Sequence, residues 1–198
     1  MGSGPRIPAA NITGIRGAIA KRLSRKMLGQ VPTPIAIYWH NWPVLRSYFG
    51  ISAKARKWNA CPLDLKSLGH MAIASYLGCT WCLDCGYFQA QNENLDLAKA
   101  REVPRWRESD VFTPLERDVL EYAEAMSDTP PSVSEELSGR LLDQLGAKAL
   151  VELTAFFSMA NFMSRTNIAL GVESDGIADS CGLPPLATPS DRHDLVGR

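Results

Sequence analysis

The feature that most constrains the fold is a pair of long segments that are apolar almost all the way around a helix. The first runs from about Leu63 to Leu77 and the second from about Ala147 to Leu170. Helices that are apolar on every side usually lie at the centre of a domain. No segment shows convincing strand alternation, and glycine and proline fall between the helical segments. The sequence therefore predicts an all-α fold around two central helices.

Two further helices with a single apolar face are predicted in the second half of the chain. One begins with Thr113-Pro114-Leu115-Glu116, where the threonine can cap, the proline suits the first turn and the glutamate can close a capping box. The next begins at Ser132 or Ser134 and ends at Gly146.

A basic helix is predicted near the start of the chain, from roughly Gly14 to Met27. It has an apolar stripe and a basic face, made of Ile15, Ile19 and Leu23 against Arg16, Lys21, Arg22, Arg25 and Lys26. Such a face could lie on a membrane surface, but the segment is short and carries no aromatic anchor. We therefore expect an ordinary packing helix with a solvated basic face.

Composition excludes several classes of protein. The 198 residues include 21 basic and 21 acidic side chains, and 45% are hydrophobic. This length and balance fit one globular domain, not a collagen, a disordered tail or a disulfide-rich miniprotein. A chain without net charge lacks the positive surface of a nucleic-acid binder. Its apolar runs are far shorter than the roughly 20 residues that cross a bilayer, so we expect no membrane association.

The cysteines indicate a redox or metal site in a reducing compartment. The first residues lack the basic and apolar regions of a secretory signal peptide, so a cytoplasmic location is expected. The chain has five cysteines, and Cys79, Cys82 and Cys85 lie within seven residues of one another. An odd number of clustered cysteines in such a chain does not suggest structural disulfides.

The cluster has the properties of a reactive dithiol. Gly78 should break the preceding helix, which places Cys79 to Cys82 at or near the first turn of a new one. Free backbone N–H groups there stabilise a thiolate. Two cysteines three residues apart on a helix are close enough for a disulfide. A thiolate next to a second thiol is what peroxide reduction or thiol–disulfide exchange requires.

Metal sites fit the cluster less well. The fourth ligand position of a ferredoxin-type iron–sulfur motif is Gln89, and no proline follows it. A zinc site would need Cys61 or His70 from outside the cluster, without a recognisable spacing. We therefore expect no metal and no other cofactor. Cys85 is expected to be a small buried apolar residue.

An ordered set of motifs resembles the carboxymuconolactone decarboxylase and alkylhydroperoxidase D superfamily, which is all-helical. The resemblance spans roughly residues 45–171. The motifs that carry it are Leu63-Asp64-Leu65-Lys66, Gly78-Cys79-Thr80-Trp81-Cys82, Phe112-Thr113-Pro114-Leu115-Glu116-Arg117, Leu150-Val151-Glu152-Leu153-Thr154, Asn161 and Ser164-Arg165-Thr166-Asn167. An AhpD-like helical bundle is implied.

The resemblance also implies roles for the two cysteines. In the family's peroxidases the second cysteine attacks the peroxide and the first resolves it, which assigns these steps to Cys82 and Cys79. A partner protein with a dithiol then reduces the disulfide, and family members form homo-oligomers. The family's relay histidine and glutamate are absent, because Gly86 and Ser67 occupy their positions.

Two residues could replace the missing relay. His70 lies one helical turn after Ser67 and could supply an imidazole. Glu152 shares a helix face with apolar residues, which should raise its pKa. The structural alternatives are a hydrogen-bonded core histidine and a glutamate that pairs with an arginine such as Arg165.

Three functions are compatible with these residues. The first is a thiol peroxidase that uses Cys79 and Cys82. The second is a decarboxylase or isomerase of a small lactone or carboxylic acid that uses Glu152 and His70. The third is a redox-sensing or binding scaffold without catalysis.

The chain is expected to divide into an N-terminal helical extension (residues 1–44), the AhpD-like domain (45–171) and an irregular C-terminal arm (172–198). A shift of about 85 residues aligns Leu65 with Leu150 and Gly86 with Gly171. Two similar helical halves are therefore possible within the domain.

Overall fold

The fold is helical throughout the part of the chain that the computed structural model describes, residues 4–189. No strand occurs in that range, and the predicted all-α fold is confirmed. A 3-10 helix spans Val103–Glu108. The α-helices are α1 (Gly14–Leu28), α2 (Thr33–Tyr38), α3 (Trp42–Ala55), α4 (Leu63–Leu77), α5 (Thr80–Asn92), α6 (Leu97–Glu102), α7 (Pro114–Ala125), α8 (Glu135–Ala169) and α9 (Ile177–Ser180).

Helix α4 is the centre of the fold, as its all-round apolar sequence predicts. It packs against α5, α7 and α8, and its middle residues Met71, Ala72 and Ile73 are almost completely buried. The contact between α4 and α8 is close at Gly69. A Cβ atom on Gly69 would lie only 2.0 Å from Cζ of Phe157, so the α8 phenylalanine occupies the space that a side chain would need.

Helix α8 contains the second predicted apolar segment. It begins at Ser134, whose side chain accepts a hydrogen bond from the Leu137 N–H. Gly146 interrupts it with non-helical angles (φ 76, ψ 160), as the predicted helix end requires, but the chain resumes a helical path at once. The second segment is not buried on all sides, because Val151 is 70% and Phe162 51% exposed.

Helix α7 begins with the predicted capping box. The Glu116 N–H donates to Oγ1 of Thr113, and the Thr113 N–H donates to the Glu116 carboxylate at 2.7 Å. The helix then buries its predicted apolar face against α4 and α8.

Helix α1 has the predicted bounds to within a residue, but its orientation differs from the expectation. It buries Gly17 and Ser24, while its apolar stripe faces outward. Ile15 is 82% exposed and Ile19 62%. The prediction that the stripe packs on the body of the protein is therefore wrong. Gly17 packs against Ile12, where a Cβ atom would be 3.1 Å from Cγ2, and the large apolar side chains are left on the outer face.

The sequence similarity between the two halves does not extend to equivalent structure after α4. Gly86 lies in the middle of α5, whereas Gly171 is in a turn after α8 with φ 68. The α4 segment has a helical counterpart in α8, but α5 corresponds to the end of α8 and the irregular chain that follows. The two Gly positions are thus not structurally equivalent.

The C-terminal arm packs against the domain as far as the structure describes it. Ile177 and Ala178 are buried, and α9 packs against α5. The arm is predicted to be irregular, but it contains the short helix α9. Residues 190–198 of the predicted arm, and residues 1–3, lie outside the described residues. The predicted limit between residues 44 and 45 falls within α3, and the division into domains stays a prediction.

None of the helices within residues 4–189 has the length and hydropathy needed to cross a membrane.

Candidate active site

The Cys79–Cys82 pair lies at the junction of α4 and α5, as the motif predicts. Gly78 ends α4 in the left-handed region (φ 80), a conformation that glycine adopts without strain. The Cys79 N–H then donates to the Ala74 carbonyl at 2.8 Å, and Cys79 becomes the N-cap of α5. The two cysteines are joined by a disulfide with a Cα–Cα distance of 5.3 Å. The predicted proximity of the two sulfurs is confirmed.

Each sulfur accepts a hydrogen bond from a different donor. The Cys82 N–H in the first turn of α5 donates to Sγ of Cys79 at 3.3 Å. The side-chain amide of Asn167, from the last turn of α8, donates to Sγ of Cys82 at 3.3 Å. The same amide nitrogen is 4.0 Å from Sγ of Cys79. Donors of this kind stabilise negative charge on sulfur.

The Asn167 amide is itself held by a buried tyrosine. The Tyr38 hydroxyl, at the end of α2, donates to Oδ1 of Asn167. Burial raises the pKa of Tyr38 far above its ordinary value, and neighbouring Tyr48 adds to the effect. The rings of Tyr38 and Tyr48 lie 4.8 Å apart. Tyr38 is thus a protonated donor at any physiological pH.

The disulfide is covered. Cys79 is 1% and Cys82 3% exposed, and both pack with Ala74 in a small apolar cluster. The indole of Trp81, between the two cysteines in sequence, donates to Oδ2 of Asp175 at 2.8 Å. We call Trp81, Asp175 and Thr33, which are joined by hydrogen bonds beside this cluster, the cover of the disulfide. A partner protein or a large substrate therefore cannot reach the sulfurs unless the cover moves.

Asp175 holds the cover together across three segments of the chain. Besides the Trp81 indole, its carboxylate accepts the Thr33 N–H at 2.9 Å and the Thr33 hydroxyl at 2.5 Å. Thr33 is the first residue of α2, and Asp175 belongs to the C-terminal arm. One carboxylate thus connects α2, α5 and the arm above the disulfide.

Asp84 has a structural role in the same region. Its carboxylate accepts hydrogen bonds from the N–H groups of Ile177 (2.9 Å) and Ala178 (2.8 Å) and from the Ser174 hydroxyl (2.7 Å). These contacts fix α9 and the arm on α5, so the carboxylate is occupied.

The other cysteines differ from the pair. Cys85 is buried as predicted, and burial, with smaller effects of Asp84 and Asp175, raises its pKa to about 12. Burial likewise raises the pKa of Cys61 to about 11. Cys181 is exposed on the arm. Cys61 and Cys85 therefore stay protonated at neutral pH, whereas a reactive cysteine has to form a thiolate. No group of three metal-ligating side chains occurs within residues 4–189.

His70 occupies the neighbourhood of the position where the resemblance predicts a histidine. Its Nδ1 would be 3.7 Å from a Cβ atom on Gly86, so the imidazole comes from α4 and lies beside α5. Gly86 is one helical turn after Cys82. Burial lowers the pKa of His70 to about 4, so the ring is neutral at pH 7.

Ser67, at the position of the family's glutamate, contacts a carboxylate from another part of the chain. Its hydroxyl donates to the carboxylate of Glu93 at 3.3 Å. Glu93 is an exposed residue just after α5. The sequence pattern did not single it out, because it lies 26 residues from Ser67 in an unremarkable surface turn.

Glu152 is far from the disulfide and belongs to a buried ion pair. It lies 15 residues before Asn167 on the uninterrupted part of α8, which corresponds to about 22 Å along the helix axis. Its carboxylate is 2.7 Å from the Lys66 ammonium and accepts the N–H groups of Ala60 (2.7 Å) and Cys61 (3.3 Å).

The predicted rise of the Glu152 pKa is wrong. Burial acts to raise it, but the Lys66 ammonium and the two backbone N–H groups outweigh burial and hold the pKa below its ordinary value. The partner is Lys66 and not Arg165, which donates to the carbonyl of Ser127. The apolar pattern of α8 could not reveal a lysine contributed by α4.

A cavity of about 400 Å³ lies on the other side of α4 from Glu152. It is lined by Ser67, Met71 and residues of α5 to α7, among them the Lys99–Glu116 ion pair. Met71 also lies beside Gly86, where a Cβ atom would be 3.0 Å from its Cγ. On α5 the lining residue is Ala90, about two helical turns after Cys82.

Sequence reasoning missed Asn167 and Tyr38 as parts of the site. Asn167 enters only as one residue of the family's motif set, without a role, and Tyr38 carries no motif at all. They lie 85 and 44 residues from Cys82, and no local spacing connects them to it. Only the packing of α2 and the end of α8 against α5 brings them to the sulfur.

Comparisons with known proteins agree with this architecture. The model of the carboxymuconolactone decarboxylase family matches residues 43–125. The uncharacterized protein YnjA of Escherichia coli strain K12 is 33% identical over 164 residues, which cover 82% of this chain and 88% of that protein.

Two solved structures have a similar fold. A cysteine-to-alanine variant of the debrominase Bmp8, in complex with 2,3,4-tribromopyrrole, has a TM-score of 0.75 at 19% identity. The alignment covers 89% of this chain and 96% of Bmp8. An alkylhydroperoxidase AhpD core, an uncharacterized peroxidase-related protein from Ralstonia eutropha JMP134, has a TM-score of 0.73 at 15% identity. Here 86% of this chain and 92% of the other are covered. At these identities the likeness shows a shared fold.

Proposed function

The chain belongs to the carboxymuconolactone decarboxylase family and has the AhpD-like fold, and from this premise we propose that it is a thiol-dependent oxidoreductase that reduces hydroperoxides. The observation that carries the proposal is the Cys79–Cys82 pair, with its two sulfurs in bonding distance and a separate hydrogen-bond donor directed at each. A dithiol in this setting can form a thiolate and can close a disulfide without rearrangement of the backbone.

The proposed first step is attack of the Cys82 thiolate on the peroxide. The thiolate forms a bond to the terminal peroxide oxygen, the O–O bond breaks, and the leaving alkoxide or hydroxide takes up a proton. Cys82 is oxidised to a sulfenic acid and the hydroperoxide is reduced to an alcohol or water. The Asn167 amide stabilises the thiolate before attack.

The remaining steps regenerate the dithiol. Cys79, which caps α5 and accepts the Cys82 N–H, attacks the sulfenic sulfur and expels water as the disulfide forms. An external protein dithiol then reduces the disulfide to two thiols and is itself oxidised to a disulfide. We place this cycle in the cytoplasm, where such reductants keep thiols reduced.

His70 is proposed to take part as a neutral imidazole. A neutral ring has one N–H donor and one acceptor nitrogen, and it can pass a proton without ever holding a stable positive charge. Its place beside Gly86, one turn from Cys82, supports a proton-transfer role near the leaving oxygen. The low pKa makes it a poor general base at neutral pH.

The acid–base alternative has less support from the geometry. A decarboxylase that used both Glu152 and His70 would need the two groups around one substrate. Glu152 is engaged by Lys66 and two backbone N–H groups, about 22 Å along α8 from the residue that contacts Cys82. This alternative predicts that Cys82→Ser retains activity and that Glu152→Gln abolishes it.

A reductive dehalogenase is a second candidate that uses the same dithiol. The observation that favours it is the likeness to Bmp8 over 96% of that chain, together with the apolar side chains of Trp81 and Ile168 that pack against the cluster of the two cysteines. In the balanced reaction, two thiols and a bromoarene would give a disulfide, the arene with hydrogen in place of bromine, and HBr.

The test is the rate at which the fully reduced protein reacts with hydrogen peroxide, with an organic hydroperoxide and with 2,3,4-tribromopyrrole. Stopped-flow measurements with intact-mass readout would be made on the wild type, Cys82→Ser and Cys79→Ser. Fast oxidation that needs Cys82 and ends in the Cys79–Cys82 disulfide supports the peroxidase. In Cys79→Ser, the sulfenic acid on Cys82 should accumulate and be trapped by dimedone.

Other outcomes select other functions. Bromide release that depends on Cys82, without peroxide reactivity, selects the dehalogenase. Reaction with both reagents no faster than that of a free cysteine removes both and favours the non-catalytic scaffold.

We also propose that the chain forms a homo-oligomer. The outward apolar stripe of α1 and the exposed Val151 and Phe162 of α8 are large apolar side chains on the surface of one chain. Such side chains in groups indicate interaction surfaces. Light scattering coupled to size exclusion would give the mass, and a monomer at micromolar concentration would contradict this proposal.

A further inference from the structure

Without the family's relay residues, a different group has to stabilise the Cys82 thiolate in this chain. The family's histidine and glutamate positions are Gly86 and Ser67, and the burial of Cys82 works against a charged sulfur. The described residues provide one side-chain donor to its Sγ, the Asn167 amide at 3.3 Å. Asn167 is 3% exposed, so this hydrogen bond is shielded from water.

The orientation of the Asn167 amide is not arbitrary. An asparagine amide can present either its N–H group or its oxygen to a neighbour, and only the N–H stabilises a thiolate. The Tyr38 hydroxyl donates to Oδ1, which leaves the amide nitrogen directed at the sulfurs. The high pKa of Tyr38 keeps this hydroxyl a donor.

We propose that Asn167 is a catalytic residue that stabilises the Cys82 thiolate through its side-chain N–H, and that Tyr38 is a positioning residue that holds the amide in that orientation. The inference rests on the proposed function in one respect only, which is that the peroxidase reaction uses the Cys82 thiolate. The hydrogen-bond pair, made of Tyr38 and Asn167, takes the place of the absent charged relay. It does so with uncharged groups, which are cheaper to bury than an ion pair.

The proposal distinguishes the two cysteines. The Sγ atom of Cys79 accepts the Cys82 N–H at the start of α5, and the Asn167 amide nitrogen is 4.0 Å from it. Loss of the Asn167 amide should therefore affect the acidity of Cys82 much more than that of Cys79. A mere loss of packing at the end of α8 would not make this distinction.

The experiment measures thiol acidity without any peroxide. Reduced protein is alkylated with iodoacetamide over a range of pH, and the rate at each cysteine is read by peptide mass spectrometry. Each cysteine of the pair is measured without the other. Cys79→Ser leaves Cys82, and Cys82→Ser leaves Cys79. Cys181→Ser is included in both because Cys181 is exposed.

Asn167→Ala is expected to raise the pKa of Cys82 by about one to two pH units, since the lost donor bonds to a charged atom. Tyr38→Phe should raise it by a smaller amount, because the amide stays but is free to turn. In the Cys82→Ser background, Asn167→Ala should move the pKa of Cys79 by less than about half a pH unit. The rate of Cys82 oxidation by peroxide at neutral pH should fall by about tenfold or more in Asn167→Ala.

Two variants serve as matched controls. Asn161→Ala removes another α8 asparagine, whose amide donates to Ser127 and not to sulfur. Tyr122→Phe removes the hydroxyl of another buried tyrosine, which bonds to Thr154. Neither should change the pKa of Cys82. Asn167→Ser is the milder replacement to be used if the alanine variant does not fold.

The results separate failure of this inference from failure of the proposed function. An unchanged Cys82 pKa in Asn167→Ala and Asn167→Ser overturns the inference, and so does an equal rise in Asn161→Ala. A wild-type Cys82 whose pKa depends on Asn167 but which does not react with peroxide leaves the inference intact and overturns the peroxidase.

Discussion

The imidazole of His70 lies beside Gly86, so close that a Cβ atom there would be 3.7 Å from Nδ1. The two residues belong to α4 and α5, the helices that meet at the disulfide. A side chain at residue 86 is missing, and the space beside it is filled by a ring from the neighbouring helix. An imidazole near one position of a fold can thus be supplied from a different helix.

The burial of His70 predicts a pH-dependent stability. Burial lowers its folded pKa from 6.5 to about 4, so between these values the unfolded chain binds a proton that the folded chain does not. The contribution to the free energy of unfolding is complete above pH 6.5 and is lost as the pH falls toward 4. Between about pH 7.5 and about pH 5 the loss should be about 2 kcal/mol. Urea unfolding at the two pH values measures it.

His70→Gln is the control for this measurement, because carboxylates also titrate near the lower pH. The variant should lose about 2 kcal/mol less than the wild type between the two conditions. An equal loss in both proteins would contradict a low pKa for His70. The same variant should slow the oxidation of Cys82 if the imidazole transfers the proton to the leaving oxygen.

The buried Lys66–Glu152 pair is predicted to be a structural element. Glu152→Gln removes the negative charge and leaves the buried Lys66 ammonium with neutral acceptors, the Trp58 carbonyl and the new amide oxygen. Breaking such a pair should lower the free energy of unfolding by about 3–5 kcal/mol. Chemical denaturation measures the loss.

Lys66→Met in the Glu152→Gln background should restore part of this stability, because it removes the unpaired charge. The oxidation rate of Cys82 should be the same in the double variant as in the wild type under conditions where both are folded. Slower oxidation of Cys82 in a fully folded double variant would contradict a purely structural role and would give the Lys66–Glu152 pair a part in the thiol chemistry.

Asp175 is predicted to limit access to the disulfide. Asp175→Ala removes the acceptor shared by Trp81 and Thr33. Hydrogen bonds to a charged group contribute about 1.5–3 kcal/mol each, so the cover should open more readily. We expect the disulfide to be reduced by a small dithiol about tenfold faster or more. Mass spectrometry with alkylation of the released thiols follows the reaction.

Asp118→Ala is the matched control for a lost carboxylate. Asp118, on α7, pairs at the surface with Arg140, on α8, and does not contact the cover. It should leave the reduction rate unchanged. Equal rates for Asp175→Ala and the wild type would show that the sulfurs are reached by another route.

The close approach of α4 and α8 at Gly69 predicts a strong sensitivity to added volume. Gly69→Ala would place a Cβ 2.0 Å from Cζ of Phe157, a fully buried ring. The overpacking should lower the free energy of unfolding by about 2–3 kcal/mol, despite the gain in helix propensity of about 1 kcal/mol. Thermal and urea unfolding measure this.

Gly139→Ala provides the opposite case in an exposed turn of α8, where nothing would lie within 4 Å of the new Cβ. It should stabilise by about 0.5–1 kcal/mol. Phe157→Leu combined with Gly69→Ala should be less destabilised than the sum of the single variants, because the two residues compete for one space. Strict additivity would contradict the contact.

The local features of this protein followed from the sequence because each depends on neighbours along the chain. The capping box of Thr113 and Glu116 involves residues three apart. The end of α4 at Gly78, and the position of Cys79 as N-cap, depend on one glycine and the turn after it. The all-round apolar sequence likewise predicted α4 as a central helix, since such helices are usually buried. The second segment of this kind, in α8, keeps Val151 and Phe162 exposed.

Other predictions failed where the partner lies elsewhere in the chain. The apolar neighbours of Glu152 predicted a raised pKa, but Lys66 on α4 decides the charge state. The stripe of α1 predicted inward packing, yet the buried residues of the helix are Gly17 and Ser24. In both cases the pattern within one helix was read correctly, but a pattern within one helix carries no information about what the next helix presents to it.

The sequence by itself determined the helical class, the core helix α4 and a pair of cysteines three residues apart at the start of a helix. All of these arise from short-range spacing, which backbone geometry converts directly into structure. Only the tertiary structure decided which donor faces each sulfur, which carboxylate holds the cover and which histidine stands beside Gly86. Those contacts join residues from α2, α4, α8 and the arm, and the shape-dependent packing of separate helices sets them.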